Sequence, residues 1–386
     1  MGNSFRKKNL GKVTIMKGTV QDNMGKKYTV DFVGDDDDFV NISYYSEQKK
    51  NPSSIKNLLS QNSNEINDIC FINNYSYLLV GCNKGVLYVY KRKNNGKSNL
   101  IFNDIICKFQ PSNNDIIQLI KLQSGHILIL YRDSSAIILK IEIDINGILY
   151  DDKKKCEIIQ TLLEEGEPSE NSGIELTSGN LIISQGYFIN FFEKKTDIEF
   201  LLIKKIFTNS DNINIIEIDS KTIVATQISN NTLDFYDINN YSMIRRVDKI
   251  EYGNNKNIMC LINKETLAVG GINGTIFLIN ILRKQLYNIS HIDNCWQITC
   301  IKSIDINNII ISSFDSNNKS SDLIVYKIKE NNFEEIKRKN KVHDDIINDI
   351  KLISISISKN WNNFVNNYNV ITIGKEHKIK LVLNDA

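Results

Sequence analysis

The residues in this chain whose types could do chemistry are few and scattered. Four histidines are present, His126, His291, His343 and His377, and no two stand at a metal-binding spacing such as His-Glu-x-x-His. Histidine is the commonest acid–base catalyst near neutral pH. His343 and His291, however, precede apolar runs, where a loop histidine bonds locally; His377 falls in a tight turn and His126 begins a strand-like run. Seven cysteines, Cys70, Cys82, Cys107, Cys156, Cys260, Cys295 and Cys300, form no Cys-x-x-Cys pair and sit mostly within apolar runs. That usage fits reduced thiols acting as small hydrophobes in a cytosolic protein. His291 with Cys295 and Cys300 matches no standard zinc spacing. Gly270-Gly271-Ile272-Asn273-Gly274 links two strand-like runs, whereas a phosphate cradle needs a helix N-terminus after the glycines. It reads as a hairpin turn. The acidic runs Asp35–Asp38 and Glu164–Glu170 read as solvated loops, and the first lacks the alternating ligands and Gly of an EF-hand loop. No catalytic residue, metal ligand or cofactor is expected.

The N-terminus carries a more specific signal. Met1-Gly2-Asn3-Ser4-Phe5-Arg6-Lys7-Lys8 resembles an N-myristoylation site, with Gly2 acylated after Met1 is removed, although Arg6 stands where Ser or Thr is preferred. One myristoyl chain binds a membrane only marginally, and a basic neighbour adds about 1 kcal/mol per charge near an anionic leaflet. Arg6, Lys7, Lys8 and Lys12 could supply that contact; the alternative is an untethered basic N-terminus. Near the other end, Trp361 and Phe364 in the segment Lys359–Asn369 are aromatics of the kind enriched at binding hot spots.

The bulk numbers narrow the class. The 386 residues are 41% hydrophobic and 24% charged, with a formal net charge of +2. Near-neutral charge argues against a general nucleic-acid binder. No apolar leader begins the chain, and no run approaches the roughly 18 apolar residues of a membrane span. The expected location is cytoplasmic, with peripheral membrane contact through the N-terminus as the open question.

The elements that would position these residues are strands. One short helix is expected at Pro52–Gln61. After it, runs rich in Ile, Val, Leu, Phe and Tyr recur, each bounded by Asn, Asp, Ser or Gly. The clearest unit spans Glu65–Tyr90, and the same grammar returns from Asn257, from Trp296 and from Ile346, with weaker copies at Asp115–Ile143, Ser172–Lys194 and Ile213–Ile238. The count is about seven copies at roughly 40 to 50 residues, the period of propeller blades. A lone sheet of this kind cannot cover both faces, and packing sheets radially does so. Cys70, Cys260 and Cys300 recur at one register, which suggests small side chains crowded near the axis. Lys12–Val20 or Lys27–Val33 is expected to pair with the last copy and remove its open edge.

These units resemble WD40 repeats in degenerate form. Lys341–Ile353, with His343, and Ser290–Ile304, with His291, are similar to the family's opening phrase; Leu233–Ile238 is similar to its closing phrase, with Tyr236-Asp237 where Trp-Asp is usual. No Trp-Asp dipeptide is present. The resemblance implies an all-β fold: a seven-bladed WD40-like β-propeller over 64–386, with an N-terminal extension (1–63) whose strand closes the ring. It implies a non-enzymatic scaffold for other proteins, bound through loops such as Asp315–Ser321. The alternatives are a membrane-surface protein, acylated at Gly2 or binding phosphoinositide, and a propeller-based hydrolase. Arg245-Arg246 is similar to the arginine pair of the phosphoinositide-binding propellers of autophagy, though Val247 replaces the Gly that follows there.

Overall fold

The computed structural model describes residues 5–10, 13–21, 27–35, 40–45, 65–72, 76–92, 102–142, 156–169, 171–208, 212–227, 230–251, 257–292, 297–329, 332–354, 368–374 and 378–382, the first four segments, the last one and residues 102–104, 212–213, 332, 353–354 and 368–369 as backbone strands only. Trp361, Phe364, Gly2, Lys12, Cys295 and the expected helix at Pro52–Gln61 lie outside the described residues, as do the side chains of Arg6, Lys7 and Lys8.

Strands join in chain order into antiparallel sheets. An N-terminal sheet contains β1 (Phe5–Leu10), β2 (Val13–Gln21), β3 (Lys27–Asp35) and β4 (Val40–Tyr45). The first blade follows as β5 (Ile66–Ile72), β6 (Tyr77–Cys82), β7 (Leu87–Arg92) and β8 (Phe102–Phe109). The second is β9 (Ile116–Lys121), β10 (Ile127–Tyr131), β11 (Ala136–Ile141) and β12 (Cys156–Leu163); the third is β13 (Gly173–Glu175), β14 (Leu181–Gln185), β15 (Phe188–Lys194) and β16 (Phe200–Phe207). The fourth holds β17 (Asn212–Asp219), β18 (Thr222–Gln227), β19 (Thr232–Asp237) and β20 (Ser242–Val247). The fifth holds β21 (Met259–Asn263), β22 (Thr266–Gly270), β23 (Thr275–Asn280) and β24 (Gln285–His291). The sixth is β25 (Gln297–Ser303), β26 (Asn308–Asp315), β27 (Ser320–Lys329) and β28 (Asn332–His343), and a last sheet has only β29 (Ile347–Ser354), β30 (Tyr368–Gly374) and β31 (Lys378–Val382).

Among the described residues the propeller thus has six four-stranded blades, not the seven expected, because the last repeat supplies three strands. Nor is an N-terminal strand seen to complete that sheet. The segments expected to do so do form strands, β2 and β3, but they pair with each other, Val13 opposite Asp35 through Gln21 opposite Lys27. Among the described residues, no ladder joins the N-terminal sheet to β31.

Burial explains why the sheets stack. The middle strands are buried on both faces: β6, β10 and β18 are covered along their whole length. Apolar clusters lie between successive sheets, for example Leu79, Val89, Leu119 and Ile129 between the first and second blades. Ile66, Leu78, Ile371 and Ile373 form the equivalent cluster between the last sheet and the first blade. Each fully buried Ile or Leu contributes roughly 2 kcal/mol of apolar transfer energy. Gly81 and Gly270, at the ends of β6 and β22, make the approach close enough. A Cβ on either would stand 2.6 Å from Ile116 Cγ2 or 2.5 Å from Ile298 Cγ2 of the next blade.

Polar groups mark the repeat as well. Ser184 Oγ accepts from Ser172 N at 2.9 Å, Thr226 Oγ1 accepts from Asn214 N at 3.0 Å, and the Thr299 and Ser312 hydroxyls are 2.6 Å apart. In the last sheet Thr372 Oγ1 lies 2.8 Å from Nε2 of buried His343, which ends β28 rather than sitting in a loop and bonds inside the fold. His291 instead reaches back to Thr275 Oγ1, 3.3 Å from its Nδ1. Asp315–Ser321 is tighter than expected: β27 already begins at Ser320, and Asp315 Oδ1 accepts from Asn317 N at 2.8 Å.

Candidate functional site

The innermost strands β5, β9, β13, β17, β21, β25 and β29 surround a channel of about 710 Å³. Its wall is a belt of polar side chains in which each sheet bonds to the next. Leu119 N donates to Asp68 Oδ2 at 2.8 Å, and Gly173 N donates to Gln118 Oε1 at 2.9 Å. Asn257 N donates to Asn214 Oδ1 at 2.8 Å; between the third and fourth blades the bond lies away from the channel lining, Thr177 N donating to Glu217 Oε2, also at 2.8 Å. Lys302 Nζ donates to Asn257 Oδ1 at 3.1 Å and lies 3.6 Å from Asp349 Oδ1. Lys351 Nζ completes the belt, 2.7 Å from Asp349 Oδ2 and 3.2 Å from Asp68 Oδ1.

Local backbone sets the two carboxylates. The ladder register slips between Ile66 and Asp68, and again between Ile347 and Asp349. Such bulges re-aim a side chain. Each carboxylate then accepts the N–H of the following residue, Ile69 at 2.7 Å and Ile350 at 2.8 Å. Burial pushes the Asp349 carboxyl up, but Lys351 and Lys302 outweigh it and hold the group below the usual carboxylate range. Burial raises Asp68, against the pull of Lys351 and with repulsion from Asp349 added. Lys351 is disfavoured by burial yet kept protonated by Asp349 and Asp68. An ammonium held charged in this way is no nucleophile. The belt's chemistry is mutual neutralisation across blades.

Sequence reading missed this belt, although one signal was there. Ile-Asn-Asp-Ile occurs at Ile66–Ile69 and again at Ile347–Ile350, the two bulged positions. The cysteine register, by contrast, has a different cause from the one expected. Cys70, Cys260 and Cys300 do not line the channel; they pack in the apolar clusters between sheets.

Arg245 and Arg246 lie on β20, the outer strand of the fourth blade. Arg245 is exposed. Arg246 makes a forked pair with Asp234, Nε to Oδ1 at 2.8 Å and Nη2 to Oδ2 at 2.7 Å, and Asp234 is 1% exposed. The two guanidiniums are therefore in different environments. Among the described residues, no group of histidine, cysteine and carboxylate side chains is placed to hold a metal ion, and no helix is long and apolar enough to cross a membrane.

A second surface stands out on the third blade. Every residue from Leu201 to Lys205 of its outer strand β16 is exposed, and Phe207 is 65% exposed. Tyr187, also exposed, stacks obliquely on Phe207 with ring centroids 6.3 Å apart, and Lys205 Nζ sits 3.9 Å from the Phe188 ring centroid. Gln160 of β12 fixes the start of this edge, accepting from Phe200 N at 2.9 Å and donating to its carbonyl at 2.7 Å.

No family model and no curated protein matches the chain. Among solved structures, the crystal structure of Saccharomyces cerevisiae Sqt1 is similar over 97% of this chain and 93% of its own, with a TM-score of 0.63 and 12% identity. Likeness at that identity speaks to fold alone, and the fold is a β-propeller.

Proposed function

We propose that the chain is a non-enzymatic platform for binding other proteins, and that a partner's extended apolar segment with acidic flanks adds to the β16 edge. The supporting observation is this edge itself: a strand with one side unpaired, carrying exposed Leu201, Leu202, Ile203 and Phe207 beside Lys204 and Lys205. Strand addition draws affinity from main-chain hydrogen bonds and specificity from alternate side chains. Contiguous exposed apolar residues on a well-packed scaffold commonly mark an interaction site.

The test uses the full chain purified from its native cells with its co-purifying proteins, followed by rebinding of the recovered partner. Wild type and Arg245→Ala retain it; Leu202→Glu/Phe207→Glu loses at least about tenfold in affinity with an unchanged melting temperature. Equal retention by the double variant would contradict the β16 reading, and no partner at all would contradict the platform.

A membrane-surface role rests on the Gly2 motif with Arg6, Lys7, Lys8 and Lys12. Mass spectrometry of the native N-terminal peptide decides it: a myristoylated Gly2 supports it, an intact Met1 removes it. For phosphoinositide, Arg245→Ala is the informative variant in liposome flotation, because Arg246 already carries Asp234.

A further inference from the structure

Cys107 on β8 and Cys156 at the start of β12 come from neighbouring blades, and their Sγ atoms are 3.5 Å apart. A disulfide requires about 2.05 Å, a gap that side-chain rotation can close when the two strands already face each other. Both residues are half-buried and pack against the rim of the apolar cluster between the first two blades. The other described cysteines differ. Cys70, Cys82, Cys260 and Cys300 are buried. Burial pushes the Cys70 thiol up to about 11 and those of Cys82, Cys260 and Cys300 up to about 12. Thiols held neutral in this way are poor nucleophiles, since the thiolate is the reactive form.

We propose that Cys107 and Cys156 form an oxidisable dithiol that closes into an inter-blade disulfide when the protein meets a low-molecular-weight disulfide such as oxidised glutathione. One cysteine loses its proton to solvent and its thiolate attacks the small disulfide, forming a mixed disulfide and expelling one small thiolate. The second cysteine, also deprotonated, attacks the protein-side sulfur of that mixed disulfide and expels the other small thiolate. Two protein thiols are thereby oxidised to one disulfide, and the small disulfide is reduced to two thiols, which take up the two protons. The new bond would clasp β8 to β12 at the rim, across a sequence separation of 49 residues, leaving the channel wall untouched. Constraining the unfolded chain over that span raises the melting temperature.

The test incubates the folded full chain in glutathione buffers of rising oxidised fraction, blocks remaining thiols with an alkylating agent, and maps linked peptides by mass spectrometry. The expected result is a Cys107–Cys156 linked peptide, reversed by reductant, formed while the four buried cysteines stay unalkylated until unfolding. The oxidised protein melts several degrees higher, and Cys107→Ser and Cys156→Ser each abolish that shift. Persistent alkylation of both cysteines in fully oxidised buffer, or linkage to other partners instead, would overturn the proposal. Peptide mapping of the unmodified sequence decides the matter even if a serine variant folds poorly.

Discussion

At the residue scale, the informative groups are charges taken out of water. Asp349 faces both Lys302 and Lys351, so Asp349→Asn leaves two ammonium groups without their shared counter-charge. Removing one partner of a buried pair costs about 3–5 kcal/mol; with Lys351 30% exposed to channel water, about 2–3 kcal/mol is expected by urea unfolding at pH 7. Because Asp349 is held below the usual carboxylate range, its contribution is fully present above the ordinary aspartate pKa and is lost as pH falls from there through its lowered value in the folded protein. The gap between wild type and Asp349→Asn should close in acid. Asp68 behaves oppositely: its raised pKa means that its charge costs stability as pH rises, so Asp68→Asn should be the milder change near neutrality. Arg246→Ala strands a carboxylate that is 1% exposed, but the Arg246 side chain is itself 34% exposed to water, so about 2–3 kcal/mol is expected. Arg246→Lys should recover only part of it, since a point charge cannot reproduce the fork. Thermal melts of the three arginine-site proteins check the order.

At the element scale, strands were easy to read and their joints were not. Ile-rich runs bounded by turn residues located the strands. Asp-x-Asn-Asn recurs at Asp237, Asp305 and Asp315, and in each case the aspartate side chain accepts from the residues after it. Asp237 Oδ1 takes Asn239 N at 2.7 Å and Asn240 N at 3.0 Å; Asp305 Oδ1 takes Asn307 N at 2.8 Å. These are Asx turns. The belt was illegible for a further reason, since bulges at Asn67 and Asn348 break the simple alternation on which inward-facing residues are assigned. Between blades, Gly81→Ala places a methyl 2.6 Å from Ile116 Cγ2 and should lower stability by about 1–3 kcal/mol, read as a lower urea midpoint with unchanged slope.

For the whole molecule, the repeat period foretold a ring, while strand pairing within the last unit decided how it ends. Counting copies could not reveal that the last sheet stays three-stranded, because an added edge strand depends on docking across hundreds of residues rather than on local pattern. The last sheet packs on both neighbouring blades, through the Ile371 and Ile373 cluster with the first blade and the Asp349 and Lys351 contacts to the sixth blade and the first, and its outer strand β31 lies near β4. Native-state hydrogen exchange of the full chain tests that closure most directly. If the ring is closed by β29–β31, the amides of β29 and β30 exchange only through the same global opening as those of β5 and β25. Exchange of β29 and β30 through a separate, lower-energy opening, with β5 and β25 still protected, would contradict it.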